Sequence, residues 1–356
     1  MKVLFLTNLP AQYRVDFFNE FGKTCDLTVV FEAEKTSERD DLWHSHEFNN
    51  FTGKYLSHKF EIVKYLNPKK YDVIICSNFS DVVGMIAITY MKTRKINYYL
   101  ESDGGISKND STLKRLVKTF LISGAEGYFC TGEEHKKYYL AYGAVDSKII
   151  PYPFSSVHSS DILDSVVAKE EKKVLKEKLG VTEGKMVLAV GQFIYRKGFD
   201  ILLNATPNIS GDIGVYIVGG EPTVEYLNLA KKLNISNIHF VGYKDKDSLA
   251  EYYKAADLFV LPTREDIWGL VINEAMAYAL PIITTTKCLA GTELVHSGKN
   301  GFLIESENAI DLSEKINFAF SDMEKLVEMS KESLEIVSNY TIETMAKAHS
   351  KYFLEK

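Results

Sequence analysis

The residues best suited to chemistry lie in residues 264–285 (REDIWGLVINEAMAYALPIITT), where two acids and a glycine precede a helix that carries a further acid. A helix that opens near Gly269 leaves its first backbone N–H groups free to face an anion. Glu274, one turn in, can accept hydrogen bonds from the vicinal hydroxyls of a ribose beside that anion, and Asp266 would reach a neighbouring sugar. The pattern suits a phosphorylated sugar donor. The helix dipole alone also favours a glutamate at this position.

Two cations stand in a second loop, residues 192–198 (QFIYRKG), which follows a predicted strand that ends at Gly191. Arg196 and Lys197 would then lie at the carboxyl end of a strand, where they can neutralise a diphosphate and the departing nucleotide. The alternative is a solvated basic loop. Cations and acids at matching strand ends favour the site.

These motifs resemble the donor-binding signature of glycosyltransferase family 4, a retaining family with the GT-B fold. The resemblance rests on a spacing: an acid is followed by seven residues and then by Glu274. The sequences AMA and PIIT come after it. It implies that Glu274 holds the ribose, that the first acid contacts the sugar, and that Lys197, then Arg196, binds the diphosphate. The first acid is Asp266, or Glu265 if the loop shifts by one residue.

Two weaker motifs extend the resemblance. Residues 240–244 (FVGYK) resemble the stretch that passes the nucleotide base, where Tyr243 could stack on uracil. Gly291 and Thr292 occupy a small-residue loop near the donor phosphate, where a glycine lets the backbone approach a ligand. The predicted donor site comprises Gly191, Arg196, Lys197, Tyr243, Glu265, Asp266, Trp268, Gly269, Leu270, Val271, Glu274, Gly291 and Thr292.

The first half of the chain offers candidates for the acceptor side. Arg14, at the end of residues 8–14 (NLPAQYR), could touch phosphate or acceptor, or equally form an ion pair with Asp16 or Glu20. Asp103, then Glu101, in the ESDGG segment are candidates to orient or deprotonate the acceptor hydroxyl. Together with Lys197, Arg196 and Asp266 they form the predicted catalytic set.

A histidine pair, His44 and His46, forms an HxH in WHSHEF. We expect no metal there, because no carboxylate or cysteine cluster accompanies the pair, and we assign His46 to the acceptor side. Since the cations and the helix start would do the work of a metal ion, no cofactor is expected.

The elements that position these residues alternate along the chain. Predicted strands at residues 3–7, 27–31, 73–77, 98–101, 128–131 and 148–151 are separated by helical stretches, and a second series follows at 186–191, 215–219, 238–242, 258–262, 281–284 and 301–304. Such alternation predicts an α/β protein with two Rossmann-like parallel-sheet domains, here of GT-B type and facing an interdomain cleft. We expect an acceptor domain at 1–160, a donor domain at 161–340, and a final helix, 341–356, that packs back on the first domain.

Composition limits the remaining possibilities. The 356 residues carry a net charge of −6 and no basic stripe, which argues against nucleic acid as a partner. No apolar run is long enough to span a bilayer. Four cysteines, Cys25, Cys76, Cys130 and Cys288, are scattered without metal-like spacing, so we expect neither disulfides nor zinc, and a cytoplasmic location.

We therefore predict a retaining enzyme that moves a sugar from a nucleotide diphosphate donor, with UDP preferred, to a glycan or lipid-linked acceptor in surface polysaccharide synthesis. Residues 113–122 (LKRLVKTFLI) form an amphipathic helix with Lys114, Arg115 and Lys118, which suits peripheral contact with an anionic membrane at the inner face of the plasma membrane. An ordinary surface helix is the alternative. A nucleotide-sugar epimerase or a non-catalytic nucleotide-sugar-binding scaffold are the other functions. The sequence argues against a dehydrogenase, because no GxGxxG follows a strand.

Overall fold

A computed structural model describes residues 1–33, 47–77, 79–209 and 212–355 of the protein. The chain divides into two compact units, Met1–Ser156 with Tyr340–Lys356, and Val157–Asn339. The sequence pattern predicts this border at residue 160, close to the observed one.

The first domain is built on a parallel sheet. Its strands, among the described residues, are β1 (Lys2–Thr7), β2 (Asp26–Phe31), β3 (Thr52–Tyr55), β4 (Val73–Cys76), β5 (Tyr99–Glu101), β6 (Gly127–Cys130) and β7 (Ile149–Pro151), in the spatial order β3-β2-β1-β4-β5-β6-β7. Its helices are α1 (Gln12–Phe21), α2 (Val82–Thr93), α3 (Thr112–Ile122), α4 (Glu133–Ala141) and α13 (Ile342–Leu354).

The last helix, α13, belongs to the first domain, because it packs along α1. Thr341 caps it: its hydroxyl accepts from the Thr344 backbone N–H while the Thr344 side chain accepts from the Thr341 backbone. The helix buries His349 flat against Phe129, with ring centroids 4.2 Å apart. The last helix of the chain thus completes the core of the first domain.

The second domain has a parallel sheet in the order β10-β9-β8-β11-β12-β13. The strands are β8 (Lys185–Val190), β9 (Ile213–Val218), β10 (Ile238–Val241), β11 (Leu258–Leu261), β12 (Ile282–Thr285) and β13 (Gly301–Ile304). The helices are α5 (Lys169–Leu179), α6 (Phe199–Ala205), α7 (Val224–Lys232), α8 (Lys246–Ala255), α9 (Leu270–Ala277), α10 (Leu289–Leu294), α11 (Ala309–Ser321) and α12 (Met323–Val337).

This strand order fixes where a ligand is expected. The direction of strand addition reverses between β8 and β11, which pair side by side. In open parallel sheets, ligands bind beyond the carboxyl ends of the strands at such a switch point. The loops after β8 and β11 are those that carry the predicted cations and acids.

The structure confirms the predicted fold class and the strands named from the sequence. It adds β3, which the sequence analysis missed. This strand lies at the edge of the sheet, is largely exposed, and has the sequence TGKY, with neither the alternation nor the buried β-branched run that marks a strand.

Candidate functional site

The loops that follow β8 and β11 are tied together. The backbone N–H of Arg264 and the hydroxyl of Thr263 both donate to the carbonyl of Arg196, at 2.8 and 2.7 Å. Gly198 closes the first loop with φ +69°, and a Cβ there would lie 2.1 Å from the Pro262 carbonyl oxygen. Glycine is required at this crossing for both reasons. The two segments therefore form one rigid base for the site.

The predicted cations and the predicted acid meet on this base. Lys197 Nζ lies 2.8 Å from one Asp266 oxygen, and Arg196 Nη1 lies 3.1 Å from the other. Arg196 also donates to the backbone carbonyl of Glu265 at 3.0 Å. Two cations face one carboxylate, so the cluster carries a net positive charge that an anion could approach. Asp266, rather than the neighbouring Glu265, supplies the carboxylate of this cluster.

Helix α9 begins beside the cluster. Gly269 is its N-cap with φ +102°, and a Cβ there would lie 2.7 Å from Cys288 Sγ. The backbone N–H groups of the first turn, at Leu270 and Val271, have no carbonyl of their own helix to reach. They give this end of α9 a partial positive charge next to Asp266 and Lys197. The helix start was predicted at this position, and the structure has it there.

Glu274 lies one turn into α9 and is held by a residue that the sequence analysis missed. The hydroxyl of Tyr253, on α8, donates to Glu274 Oε2 at 3.1 Å. Burial first, then the charge of Glu274, raises the pKa of Tyr253 well above its usual range, so the phenol keeps its proton. Tyr253 stacks on Tyr278 with ring centroids 5.2 Å apart and planes 4° apart. One oxygen of Glu274 is thus fixed by a rigid donor.

Arg264 is a second residue that the sequence analysis did not identify. Its guanidinium makes two 2.7 Å bonds to the Asp200 carboxylate, pairs with Glu307, and lies 3.9 Å from the centre of the Tyr195 ring. The hydrogen bonds that Arg264 donates to Asp200 are the largest cause that raises the pKa of Arg264. Arg264 is fully engaged and therefore positions the loop that carries Arg196 rather than binding a phosphate itself. Its partners are distant in sequence, so no local pattern could reveal them.

Three predicted donor residues have structural roles that the prediction did not foresee. Trp268 is 3% exposed, and its indole N–H donates to Asn273 at 2.8 Å, so the ring supports the loop from inside. Gly291 lies in α10, where a Cβ would meet the Thr284 methyl group at 2.4 Å. The packing of α10 on β12 therefore already requires glycine at this position. The Thr292 hydroxyl donates to the Leu289 carbonyl at 2.9 Å.

The remaining two donor candidates lie at strand ends. Gly191 follows β8, and its N–H donates to the Val218 carbonyl at 2.9 Å, which continues the pairing of β8 with β9. Tyr243 follows β10 and is half exposed, so its ring is available to a ligand.

In the first domain, Arg14 and Glu101 lie in a buried ion-pair network. Arg14 is buried and pairs with Glu101 and Asp103, partners that the sequence did not predict. Glu101 has no exposed surface, and its other oxygen lies 2.9 Å from His349 Nε2. Burial would raise the pKa of Glu101, but the charges of Arg14 and His349 outweigh it and lower the pKa to about 2. A buried carboxylate with so low a pKa is a weak base and lies away from solvent, so Glu101 is poorly placed to take a proton from an acceptor.

Asp103 retains a surface that a ligand could use. Its side chain is 37% exposed, and it accepts a hydrogen bond from the Tyr13 hydroxyl at 2.7 Å besides its pair with Arg14. The Arg14 guanidinium thus bridges a buried acid and a partly exposed one. His46 falls outside the described residues.

Among the residues that the structure describes, no group of three or more His, Cys, Asp or Glu side chains is arranged to hold a metal ion. None of the helices in the described part of the chain combines the length and the apolar character needed to cross a bilayer.

Comparison with known proteins agrees with the geometry. Residues 171–335 match the family model of glycosyl transferases group 1. An uncharacterised glycosyltransferase of Haemophilus influenzae is 31% identical over 50% of this chain and 51% of its own. The N,N'-diacetylbacillosaminyl-diphospho-undecaprenol alpha-1,3-N-acetylgalactosaminyltransferase of Campylobacter jejuni is 20% identical over 84% of this chain and 81% of its own. The chain spans about half the length, or less, of several curated relatives that it matches.

Solved structures share the whole architecture. Anabaena HepE in complex with UDP superposes with a TM-score of 0.82 at 18% identity and covers both chains completely. The lipopolysaccharide glycosyltransferase WaaG gives a TM-score of 0.67 at 14% identity, over 98% of this chain and 99% of its own. At such identities the likeness establishes the GT-B fold. The family match lies within the second domain.

Proposed function

We propose that this chain, whose residues 171–335 match the family model of glycosyl transferases group 1, is a retaining family 4 enzyme that transfers a sugar from a UDP-sugar to a hydroxyl. The observation that carries the proposal is the cluster of Lys197, Arg196 and Asp266 beside the start of α9, at the switch point of the second sheet.

The cluster suits a sugar diphosphate. Lys197 and Arg196 share one carboxylate, so the cluster keeps a net positive charge. A diphosphate can therefore bind the two cations without electrostatic repulsion from the cluster as a whole. The first turn of α9 supplies backbone N–H donors on the adjacent side. Asp266, once its cations turn to the diphosphate, is free to accept hydrogen bonds from the sugar hydroxyls.

The nucleoside would lie next to Glu274. A carboxylate with one oxygen held by Tyr253 can present its other lone pairs to the two ribose hydroxyls. A held carboxylate loses less side-chain entropy on binding than a free one. The half-exposed ring of Tyr243 is the candidate to stack on the base. Uracil is our choice of base, supported by the resemblance of the FVGYK motif and by the UDP complex of HepE.

The reaction would need no protein nucleophile. The acceptor oxygen attacks the anomeric carbon from the face that the diphosphate leaves, the bond from that carbon to the phosphate oxygen breaks, and the acceptor proton passes to the departing diphosphate. Lys197 and Arg196 stabilise the charge that develops there, which lowers the barrier of the chemical step. With these cations and the α9 start in place, we expect transfer to proceed in EDTA.

A glycan or lipid-linked acceptor is proposed from the relatives. The Campylobacter enzyme's name specifies a diphospho-undecaprenol substrate, and WaaG of Escherichia coli is a lipopolysaccharide glucosyltransferase. A polyprenyl-linked acceptor in surface polysaccharide synthesis would place this protein at the inner face of the plasma membrane. Asp103 is the candidate to orient the acceptor hydroxyl, since Glu101 is buried.

The test is a donor panel. UDP-, GDP-, ADP- and dTDP-sugars are offered in EDTA with and without an undecaprenyl-diphosphate-linked sugar, and nucleotide release and product anomers are measured. We expect release from a UDP-sugar, dependent on the acceptor, with a product that retains the anomeric configuration. An inverted product would refute the retaining mechanism. Conversion of the donor without acceptor would favour an epimerase, and tight binding of a donor without turnover would favour a scaffold.

A further inference from the structure

We propose that His135 positions Asp103 toward the sugar acceptor through a hydrogen bond to Ser102. Ser102 and Asp103 lie in the segment SDGG that follows β5, which we call the 102–105 loop. His135 lies on α4 and acts only through this loop, so it is a positioning residue. The inference rests on the proposed function, because it takes Asp103 as the residue that orients the acceptor hydroxyl.

One face of α4 supports the 102–105 loop. Its residues His135, Tyr138 and Tyr139 are three and four positions apart, so they lie on the same side of the helix. All three are buried, and the rings of His135 and Tyr139 pack on each other with centroids 4.3 Å apart. A Cβ on Gly105 would lie 2.5 Å from the Tyr138 ring. The backbone of the loop therefore packs directly on this face of α4.

The hydrogen bonds of the His135 ring have a fixed direction. The backbone N–H of Thr131 can only donate, and it lies 3.2 Å from His135 Nδ1, so Nδ1 is the acceptor. Burial lowers the pKa of His135 to about 3, so the ring is neutral and carries its one proton on Nε2. Nε2 lies 2.9 Å from Ser102 Oγ and therefore donates to it.

Ser102 transmits this constraint to both sides of Asp103. Its hydroxyl accepts from His135 and donates to the Gly104 carbonyl at 3.2 Å. Its own carbonyl accepts a hydrogen bond from the Tyr152 hydroxyl at 3.1 Å. The backbone is thus held immediately before and immediately after Asp103. Without the donor on His135, the Ser102 hydroxyl can rotate away from Gly104, and the loop loses one of these restraints.

The carboxylate of Asp103 is held at both oxygens as well. Arg14 pairs with Oδ1, and the Tyr13 hydroxyl donates to Oδ2 at 2.7 Å. The side chain is 37% exposed, so lone pairs of this fixed carboxylate face the solvent. A substrate hydroxyl that donates there meets a group that is already ordered, which lowers the entropy cost of binding and fixes the direction of the hydroxyl.

Two substitutions of His135 separate the roles of its ring nitrogens. In His135→Gln the amide nitrogen can replace Nε2 and still donate to Ser102, whereas in His135→Asn the shorter amide can reach Thr131 but leaves Ser102 without its donor. With an undecaprenyl-diphosphate-linked sugar as acceptor, the acceptor KM should rise at least about tenfold in His135→Asn and by less than about threefold in His135→Gln. Ser102→Ala should behave as His135→Asn does.

UDP affinity is the internal control. The proposed nucleotide site lies in the second domain, whereas α4 and the 102–105 loop lie in the first. All three variants should therefore bind UDP as the wild type does in calorimetric titrations, and their donor KM should not change. His239→Asn is the matched control, because it removes a histidine of the second domain that lies 2.7 Å from Glu183. It should leave the acceptor KM unchanged.

Nitrogen-15 NMR tests the direction of the hydrogen bonds without turnover. The His135 signals are assigned as those missing in His135→Asn. We expect a neutral ring at pH 7 with its proton on Nε2. A proton on Nδ1 would reverse the direction of the bond to Ser102 and overturn the proposal.

The kinetic outcomes distinguish this proposal from the proposed function. An unchanged acceptor KM in His135→Asn, or an equal rise in His135→Asn and His135→Gln, overturns the positioning role while sugar transfer stands. If the wild type transfers no sugar from any donor and binds no UDP, the proposed function fails, and the role of His135 toward an acceptor falls with it.

Discussion

The change Glu101→Gln should destabilise the first domain without abolishing sugar transfer. In the wild type, Glu101 lies between Arg14 and His349 with no exposed surface. Both ring nitrogens of His349 face acceptors, since Nδ1 lies 2.8 Å from the Met345 carbonyl and Nε2 lies 2.9 Å from Glu101. Glutamine keeps the shape of the side chain but removes the anion.

The expected loss of stability depends on which partners Arg14 and His349 keep in the variant. Removal of one partner from a buried ion pair costs about 3–5 kcal/mol, because a charge is left without compensation. Arg14 keeps Asp103 as a partner, whereas His349 faces only the neutral amide. We therefore expect the lower end, about 3 kcal/mol. For a domain of this size, that corresponds to a fall in Tm of about 6–12 °C.

Scanning calorimetry of the full chain measures this change, since it can resolve the transitions of two domains. The control is Glu20→Gln, which removes a partly exposed pair with Lys23 and should cost below about 1 kcal/mol. Below its melting temperature the Glu101→Gln enzyme should keep its kcat. An unchanged Tm together with lost transfer would show that Glu101 acts on substrate, and the account of this network would be wrong.

Two further predictions concern charge and orientation. The pKa of Glu101 is lowered to about 2 in the folded state from an ordinary 4.5. Its contribution to stability is therefore complete above pH 4.5 and is lost as the pH falls toward 2. Over that range, the free energy of unfolding measured with urea should fall more steeply in the wild type than in Glu101→Gln. Tyr253→Phe removes the hydrogen bond to Glu274 and should weaken UDP binding about tenfold, by ~1.5 kcal/mol, while Tyr252→Phe should not. Equal weakening in calorimetric titrations of both variants would contradict the positioning role of Tyr253.

The fold and the centre of the site could be predicted because they depend on local patterns. Buried apolar runs alternate with helices, and parallel strands bring their carboxyl ends to one edge of a sheet. The loops after β8 and β11 were therefore expected together, and Lys197, Arg196 and Asp266 are in contact. The sequence could not show whether Glu265 or Asp266 faces these cations, because neighbouring side chains point in different directions.

The residues that orient the site could not be predicted, because their partners are far apart along the chain. Arg264 pairs with Asp200, 64 residues away. Glu101 pairs with His349, 248 residues away. From sequence alone, a charged residue at a strand end is equally consistent with a ligand contact and with a buried ion pair. Only the burial of the side chain distinguishes the two roles. Glu101 and Arg14 belong to the second kind.

The same limit applies to Trp268 and Gly291. An aromatic ring and a glycine next to a helix start suit a ligand, yet both also suit close packing. The structure shows Trp268 inside the loop and Gly291 against Thr284, so packing explains their identities. Neither residue carried a sequence signal that separates these roles.

We propose that the second domain holds a nucleotide diphosphate through the start of α9 and Glu274. Isothermal titration of UDP into the wild type, Glu274→Gln and Glu314→Gln tests this binding site. Glu314→Gln is the control, because Glu314 is an exposed glutamate on α11 of the same domain. We expect UDP to bind the wild type and Glu314→Gln, and to bind Glu274→Gln at least about tenfold more weakly, since a charged hydrogen-bond partner of the ribose is lost. Equal UDP affinity in all three proteins, or no binding by the wild type, would refute the proposed nucleotide site.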